Sequence, residues 1–211
     1  GTGLNTTEDF GDRVCQVLNR DGSSYKSAPN KFQALSSKDA LHFAHSGLEV
    51  LASNYHKIAN DIRLLSMGPR AGIGEIIIPA NEPGSSIMPG KVNPTQTEQA
   101  TMICGLVIGN QASISFASAM GQFQLNVYSP MVIYLFLQST YLLAQSMENF
   151  DIRLVRGIKA NVSKIKANLE NSLMLVTAMS PKIGYEKAAK IAQAAYTEHQ
   201  SVRSVAPRKP A

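Results

Sequence analysis

The strongest constraint in this sequence is an apolar stripe within residues 41–65. Leu41, Ala44, Leu48, Leu51, Tyr55, Ile58, Ile62 and Leu65 recur at spacings of three and four, the period of one helix face. Ser36 and Asp39 ahead of the stripe read as a helix start. A helix over this whole stretch is nearly thirty residues, or about 45 Å at the usual rise. Helices of that length belong to large bundles rather than to small domains.

The flanking segments carry the same period. Thr6-Thr7-Glu8-Asp9 places cap and first-turn acids ahead of Phe10, Val14, Val17 and Leu18, and Asp21-Gly22-Ser23-Ser24 ends that helix in a turn. Asn93 as N-cap, Pro94 at the first helical position and Gln96 at the capping-box position open a further helix, in which Met102, Leu106, Ile108 and Ile114 continue to about Ala119. Pro130 starts another helix, reaching Phe150. Residues from Asp151 on read as helix with an exposed lysine face (Lys159, Lys164, Lys166), and a last helix runs from Tyr185 to about Tyr196. The fold class expected is all-α, a long-helix bundle. The division expected is a central bundle domain over 1–157 and a C-terminal helical domain over 158–211 with a divergent tail.

Between Ser66 and Pro94 the helical pattern stops. Gly68-Pro69, Gly72, Gly74, Pro79, Pro83, Gly84, Pro89 and Gly90 forbid a continuous helix, and only 76–78 has the composition of a short extended piece. Structureless loops of this length in a compact domain are uncommon and are usually functional or disordered. The isoleucines and methionines here argue against disorder.

Composition excludes several classes. The chain has 211 residues, 44% of them hydrophobic and 17% charged, which is globular. Its net charge of +5 falls to +2 once Arg203, Arg208 and Lys209 near the C-terminus are set aside, and no basic stripe interleaves with aromatics, so no nucleic-acid partner is expected. The most apolar run, 131–137, is much too short to span a bilayer, and no membrane partner is expected. Cys15 and Cys104 match no metal spacing and sit in apolar helical patterns, as buried free thiols do; this suits a reducing compartment. No metal or cofactor is expected.

The densest set of special residues is 84–94, GSSIMPGKVNP. Glycines let successive N–H groups converge, the helix N-terminus at Asn93 adds partial positive charge, and Lys91 adds a full one. Such a stretch suits a carboxylate or phosphate, with Ser85 and Ser86 adding hydroxyls and Asn93 an amide. A glycine-proline lid with a solvated lysine fits the same composition. The P-loop spacing is not met.

Gly84-Ser85-Ser86-Ile87-Met88-Pro89-Gly90-Lys91-Val92-Asn93 resembles the signature of the fumarase/aspartase superfamily, G-S-x-x-M-P-x-K-x-N, at every specified position. Gly1-Thr2-Gly3-Leu4-Asn5-Thr6, Ala59-Asn60-Asp61-Ile62-Arg63, Gly68-Pro69-Arg70, Asn81-Glu82-Pro83 and the stretch LMLVTAMSPKIGY in 173–185 are similar to class II fumarases, as are Gly90 and Pro94-Thr95-Gln96. The likeness covers roughly residues 1–198.

The resemblance implies a lyase that adds water reversibly to fumarate, giving malate, in the tricarboxylic acid cycle. It implies Ser85 as the base that takes the proton from carbon 3 of malate and Glu98 as the carboxylate that handles water with a histidine. Ser86, Lys91 and Asn93 are then the substrate-binding residues. It also implies a homotetramer with sites shared between chains. The family's partner histidine lies in a stretch preceding Gly1, and His42, His45, His56 and His199 do not match it. A partial or inactive remnant that serves only in assembly, and another superfamily lyase such as an aspartate ammonia-lyase, are the alternatives. The expected location is cytoplasmic, or the mitochondrial matrix in a eukaryote.

Overall fold

The computed structural model describes residues 1–206; the end of the expected divergent tail, 207–211, lies outside the described residues. The described chain is overwhelmingly helical. In order it forms α1 (Phe10–Leu18), α2 (Lys31–Ser36), α3 (Asp39–Leu65), β1 (Ile76–Ile77), α4 (Thr95–Ala119), α5 (Ser129–Arg153), β2 (Lys159–Ala160), α6 (Val162–Asn171), α7 (Leu175–Ile183), α8 (Tyr185–Thr197) and α9 (Val202–Val205). The chain divides into two compact units, one of residues 1–60 and 95–151, the other of 61–94 and the residues from 152 on.

In the first unit α3, α4 and α5 meet along a seam with heptad spacing. The buried positions are His45, Ala52, Tyr55 and Ala59 on α3, Thr97, Ala100, Cys104, Val107, Asn110, Gln111, Ile114 and Ala117 on α4, and Val132, Ser139, Leu143, Ser146 and Phe150 on α5. Tyr55 packs edge-on against Phe150 with ring centroids 5.2 Å apart, and its hydroxyl reaches the Ser146 carbonyl oxygen at 3.2 Å and Oγ at 3.0 Å. Ile114, Ala117 and Val132 close the seam near Leu41, Tyr128 and Leu135.

This seam corrects the expected stripe. Of the eight stripe residues on α3 only Tyr55 is fully buried, while Leu51 and Ile58 are 39% and 51% exposed. The sequence period locates the helix, and Leu41, Leu48 and Ile62 share the seam face and are partly buried, whereas Leu51 and Ile58 turn away from it. Phe43, Met102, Phe116, Tyr134 and Leu137 also remain exposed on these helices.

Helix α4 is long and apolar enough to cross a membrane by length and composition, which residues 131–137 are not. Its buried Asn110 and Gln111 are hydrogen-bonded to side chains of the same unit, as in a bundle core.

Several boundaries differ from expectation. Helix α1 begins at Phe10 rather than at the threonines, and α2 and α7 arise where no helix was expected. The helix expected to start at Asp151 is instead the end of α5, a short 3₁₀ turn and β2, with Lys159 on the strand and Lys164 and Lys166 on α6. Gln96 is engaged across the bundle, where its Oε1 accepts from Asn149 Nδ2 at 2.6 Å. Both cysteines are free; Cys104 is buried as expected, but Cys15 only partly. Burial pushes the Cys104 thiol above its ordinary range, which makes it unreactive.

In the second unit β1 pairs antiparallel with β2, Ile76 opposite Ala160. Asn161 caps α6 by accepting from Lys164 N, while its own Nδ2 donates to Gly74 O at 3.0 Å and its backbone N–H to Glu75 O at 2.9 Å. Asn168 donates to Ile73 O, and Asn81 to Arg153 O, both at 3.1 Å. A Cβ on Gly157 would lie 2.3 Å from the Pro79 ring, so glycine is required where the two segments touch. The first half of the glycine-proline segment is thereby fastened to residues 153–168.

Candidate functional site

Beyond Asn81 the chain leaves that support and makes its own. The Ser85 Oγ accepts hydrogen bonds from the backbone N–H groups of Ile87 and Met88, both at 3.1 Å. This is a local serine turn, a motif that short hydroxyl side chains form readily. Next, Lys91 N donates to Met88 O at 3.3 Å across Pro89 and Gly90. Proline second and a glycine at φ +77° third are the residues that a type II turn demands. The two turns bring the ends together: Gly84 N donates to Lys91 O at 2.9 Å, and Asn93 Nδ2 donates to Gly84 O at 2.7 Å.

The resulting loop frames a depression of about 420 Å³, lined by residues 80–85 and by Met88, Gly90, Lys91 and Val92. Ser85 and Asn93 are partly buried, whereas Ser86 and Lys91 are exposed. Four of the five expected site residues, Ser85, Ser86, Lys91 and Asn93, thus belong to one ten-residue loop of the second unit. Glu98 belongs to the first unit, in the first turn of α4, and is partly buried. Next to it, Gln99 Oε1 is buried with no hydrogen-bond partner among the described residues, an acceptor that the sequence pattern had not marked.

Two backbone donors aimed at one serine oxygen favour its anionic form, because hydrogen bonds to a charge are stronger than those to a neutral group. A cation on the same loop, Lys91, acts in the same direction. Residues 84–93 carry hydroxyl, amide and ammonium groups, which suit an anionic ligand, while Glu82 adds a carboxylate to the lining of the depression. No group of three or more His, Cys, Asp or Glu that would hold a metal occurs among the described residues.

Two of the four histidines, His42 and His45, are engaged within the bundle, while His56 and His199 are exposed. His45 is fully buried; its Nδ1 lies 2.6 Å from Gln111 Oε1 and its Nε2 2.8 Å from Ser139 Oγ. An amide oxygen only accepts, so Nδ1 carries the proton and the hydroxyl donates to Nε2. Ser139 Oγ then accepts from Asn110 Nδ2 at 3.0 Å, and Gln111 Nε2 donates to Ser46 and Ser115. His42, with Nε2 2.9 Å from Ser115 Oγ, ends the chain of contacts.

Comparison with known proteins identifies the family of the chain. A family described as "Lyase" matches residues 1–109, and one described as "Fumarase C C-terminus" matches residues 175–209. The chain is 52% identical over 207 residues to a protein of Bacillus subtilis named fumarate hydratase class II. It is 54% identical over 204 residues to one of Campylobacter jejuni with the same name. These alignments cover 98% and 96% of this chain but 45% and 44% of the relatives, so the chain spans a little under half their length. The crystal structure of class II fumarase from Schistosoma mansoni superposes with a TM-score of 0.89 at 39% identity, covering 98% of this chain and 46% of that one. With a family match over more than half of its residues and a shared fold over nearly all of them, this chain belongs to the lyase family.

Proposed function

We propose that this chain forms part of a fumarate hydratase, the reversible hydration of fumarate to malate, and that residues 84–93 are its contribution to the active site. The observation that supports this reading best is the pair of backbone N–H groups on Ser85 Oγ. A serine is far too weak an acid to serve as a base unless its alkoxide is stabilised by groups already in place. Ile87, Met88 and Lys91 are groups of that kind. In the malate direction Ser85 Oγ takes the proton from carbon 3. The electron pair passes into the neighbouring carboxylate, which becomes a dianionic aci-carboxylate group, and then returns to form the double bond as the hydroxyl on carbon 2 leaves. Glu98, with a histidine in the complete site, delivers the proton that makes it water. Ser86, Lys91 and Asn93 hold the carboxylates, whose charge grows in the intermediate.

In this reading residues 1–157 make up the part that bears the bundle and the loop, and a C-terminal helical part begins at 158, although the loop shares its compact unit with the residues from 152 on. The exposed apolar residues on α3, α4 and α5, among them Phe43 at 83% and Met102 at 69%, support association with further copies in a tetramer with shared sites. A dicarboxylate-binding tetramer of this kind suits a cytoplasmic setting or a mitochondrial matrix.

The test uses shared sites. Purified chain alone turns fumarate over far more slowly than a complete enzyme, measured by fumarate absorbance. Mixed with a class II subunit whose own loop serine has been replaced by alanine, it restores turnover, with co-assembly followed by sedimentation. Co-assembly without restored turnover overturns the catalytic reading in favour of a purely structural protein. A chain that stays monomeric at micromolar concentration overturns the shared-bundle reading.

A further inference from the structure

We propose that Asn93 is a positioning residue that latches the neck of the loop and so sets the position of Ser85. The proposal rests on reading the loop as the site. It adds, to the substrate contact given to Asn93 above, a part in how the loop is held.

The tip of the loop has little packing to hold it, since Ile87 is 88% exposed and Met88 56%. Its geometry therefore depends on the neck. There both backbone polar groups of Gly84 are used: its N–H donates to Lys91 O at 2.9 Å and its C=O accepts from Asn93 Nδ2 at 2.7 Å. The two sides of the neck approach more closely than any side chain permits, because a Cβ at Gly84 would lie 2.5 Å from Lys91 O and 3.0 Å from Asn93 N. Ser85 is the next residue, so its backbone direction is fixed by this contact. The Asn93 amide is a side chain that bonds directly to the neck. An amide nitrogen carries two hydrogens, so it can hold Gly84 with one and donate to a ligand carboxylate with the other. Ligand binding and neck closure then reinforce each other.

The test is amide hydrogen exchange on the whole chain. Asn93→Asp keeps the shape but turns the donor toward Gly84 into an acceptor. Exchange of the Gly84 amide should accelerate by about three- to tenfold, the effect of losing one hydrogen bond, and that of Ile87 and Met88 with it. Amides within α4 and α5, such as those of Val107 and Ser139, should keep their rates. Gly84→Ala should open the same amides from the opposite side. Unchanged exchange at Gly84 in Asn93→Asp, or equal acceleration throughout the helices, would overturn the latch. L-Malate should slow exchange at Gly84 in the native chain but not in Asn93→Asp. If malate has no effect while Asn93→Asp still opens the neck, the latch stands and the dicarboxylate reading falls.

Discussion

Two polar centres in this molecule are held in opposite ways. In the α3–α4–α5 seam His45 is fully buried and its ring nitrogens are satisfied by the side chains of Gln111 and Ser139, from two other helices. In the loop, Ser85 is satisfied by backbone N–H groups two and three residues along. A side-chain network in a core is costly to disturb, because every deleted partner leaves another group unpaired and dry. A backbone network survives most substitutions, so side chains on it are free to be chosen for chemistry. On the function proposed above, the bundle supplies stability and the loop supplies reactivity, with little overlap between the residues that serve each.

The sharpest way to break this contrast is at Ser85. In a complete or complemented enzyme Ser85→Ala should lower hydration by about 10²–10⁴-fold, the usual worth of a positioned acid or base. Thermal unfolding should be unchanged. Wild-type kcat in that variant would remove Ser85 from the chemistry, and a large fall in Tm would show that the loop carries stability after all.

The reverse experiment is His45→Ala, which should cost about 3 kcal/mol in urea denaturation. It leaves a cavity and strands the Gln111 oxygen and the Ser139 hydroxyl. A loss below about 1 kcal/mol, the net worth of a single hydrogen bond, would mean that the network is not what holds the seam.

A smaller effect is expected at Tyr55, whose hydroxyl reaches Ser146. Tyr55→Phe should cost about 1 kcal/mol. Burial, the main cause, raises the phenol above its ordinary value of 10.0, with the Ser146 bond acting in the opposite sense. The folded chain therefore holds this proton more tightly than the unfolded one. That contribution is fully present below pH 10.0 and is lost as pH rises through the folded value, so alkaline destabilisation should be weaker in Tyr55→Phe. Identical alkaline curves would assign the transition to other groups.

Much of the fold was legible because long helices repeat their signal many times over. The periods in 41–65 and 102–114 survive as α3 and α4, and the glycines and prolines of 66–94 do interrupt the helices. Short elements repeat too little to be read, which is why α2 and α7 were missed. In the loop, the turn at 88–91 was written in Pro89 and Gly90, whereas the Asn93–Gly84 bond was not, since it joins residues nine apart through a side chain with many alternatives.

By itself the sequence determined the helical class, the position of the loop and its relation to the lyases, because periodicity, φ-restricted residues and a spaced motif are local properties. Only the tertiary structure decided which face of each helix is buried. The apolar stripe on α3 pointed to Leu51 and Ile58 as well as Tyr55, but the seam kept Tyr55 and took His45, Ala52 and Ala59, which lie outside the stripe. Hydrophobicity along one helix counts apolar area, whereas burial among three helices depends on how side chains fit together and on polar partners supplied by the other two. Those are properties of the packed molecule, and no single helix carries them.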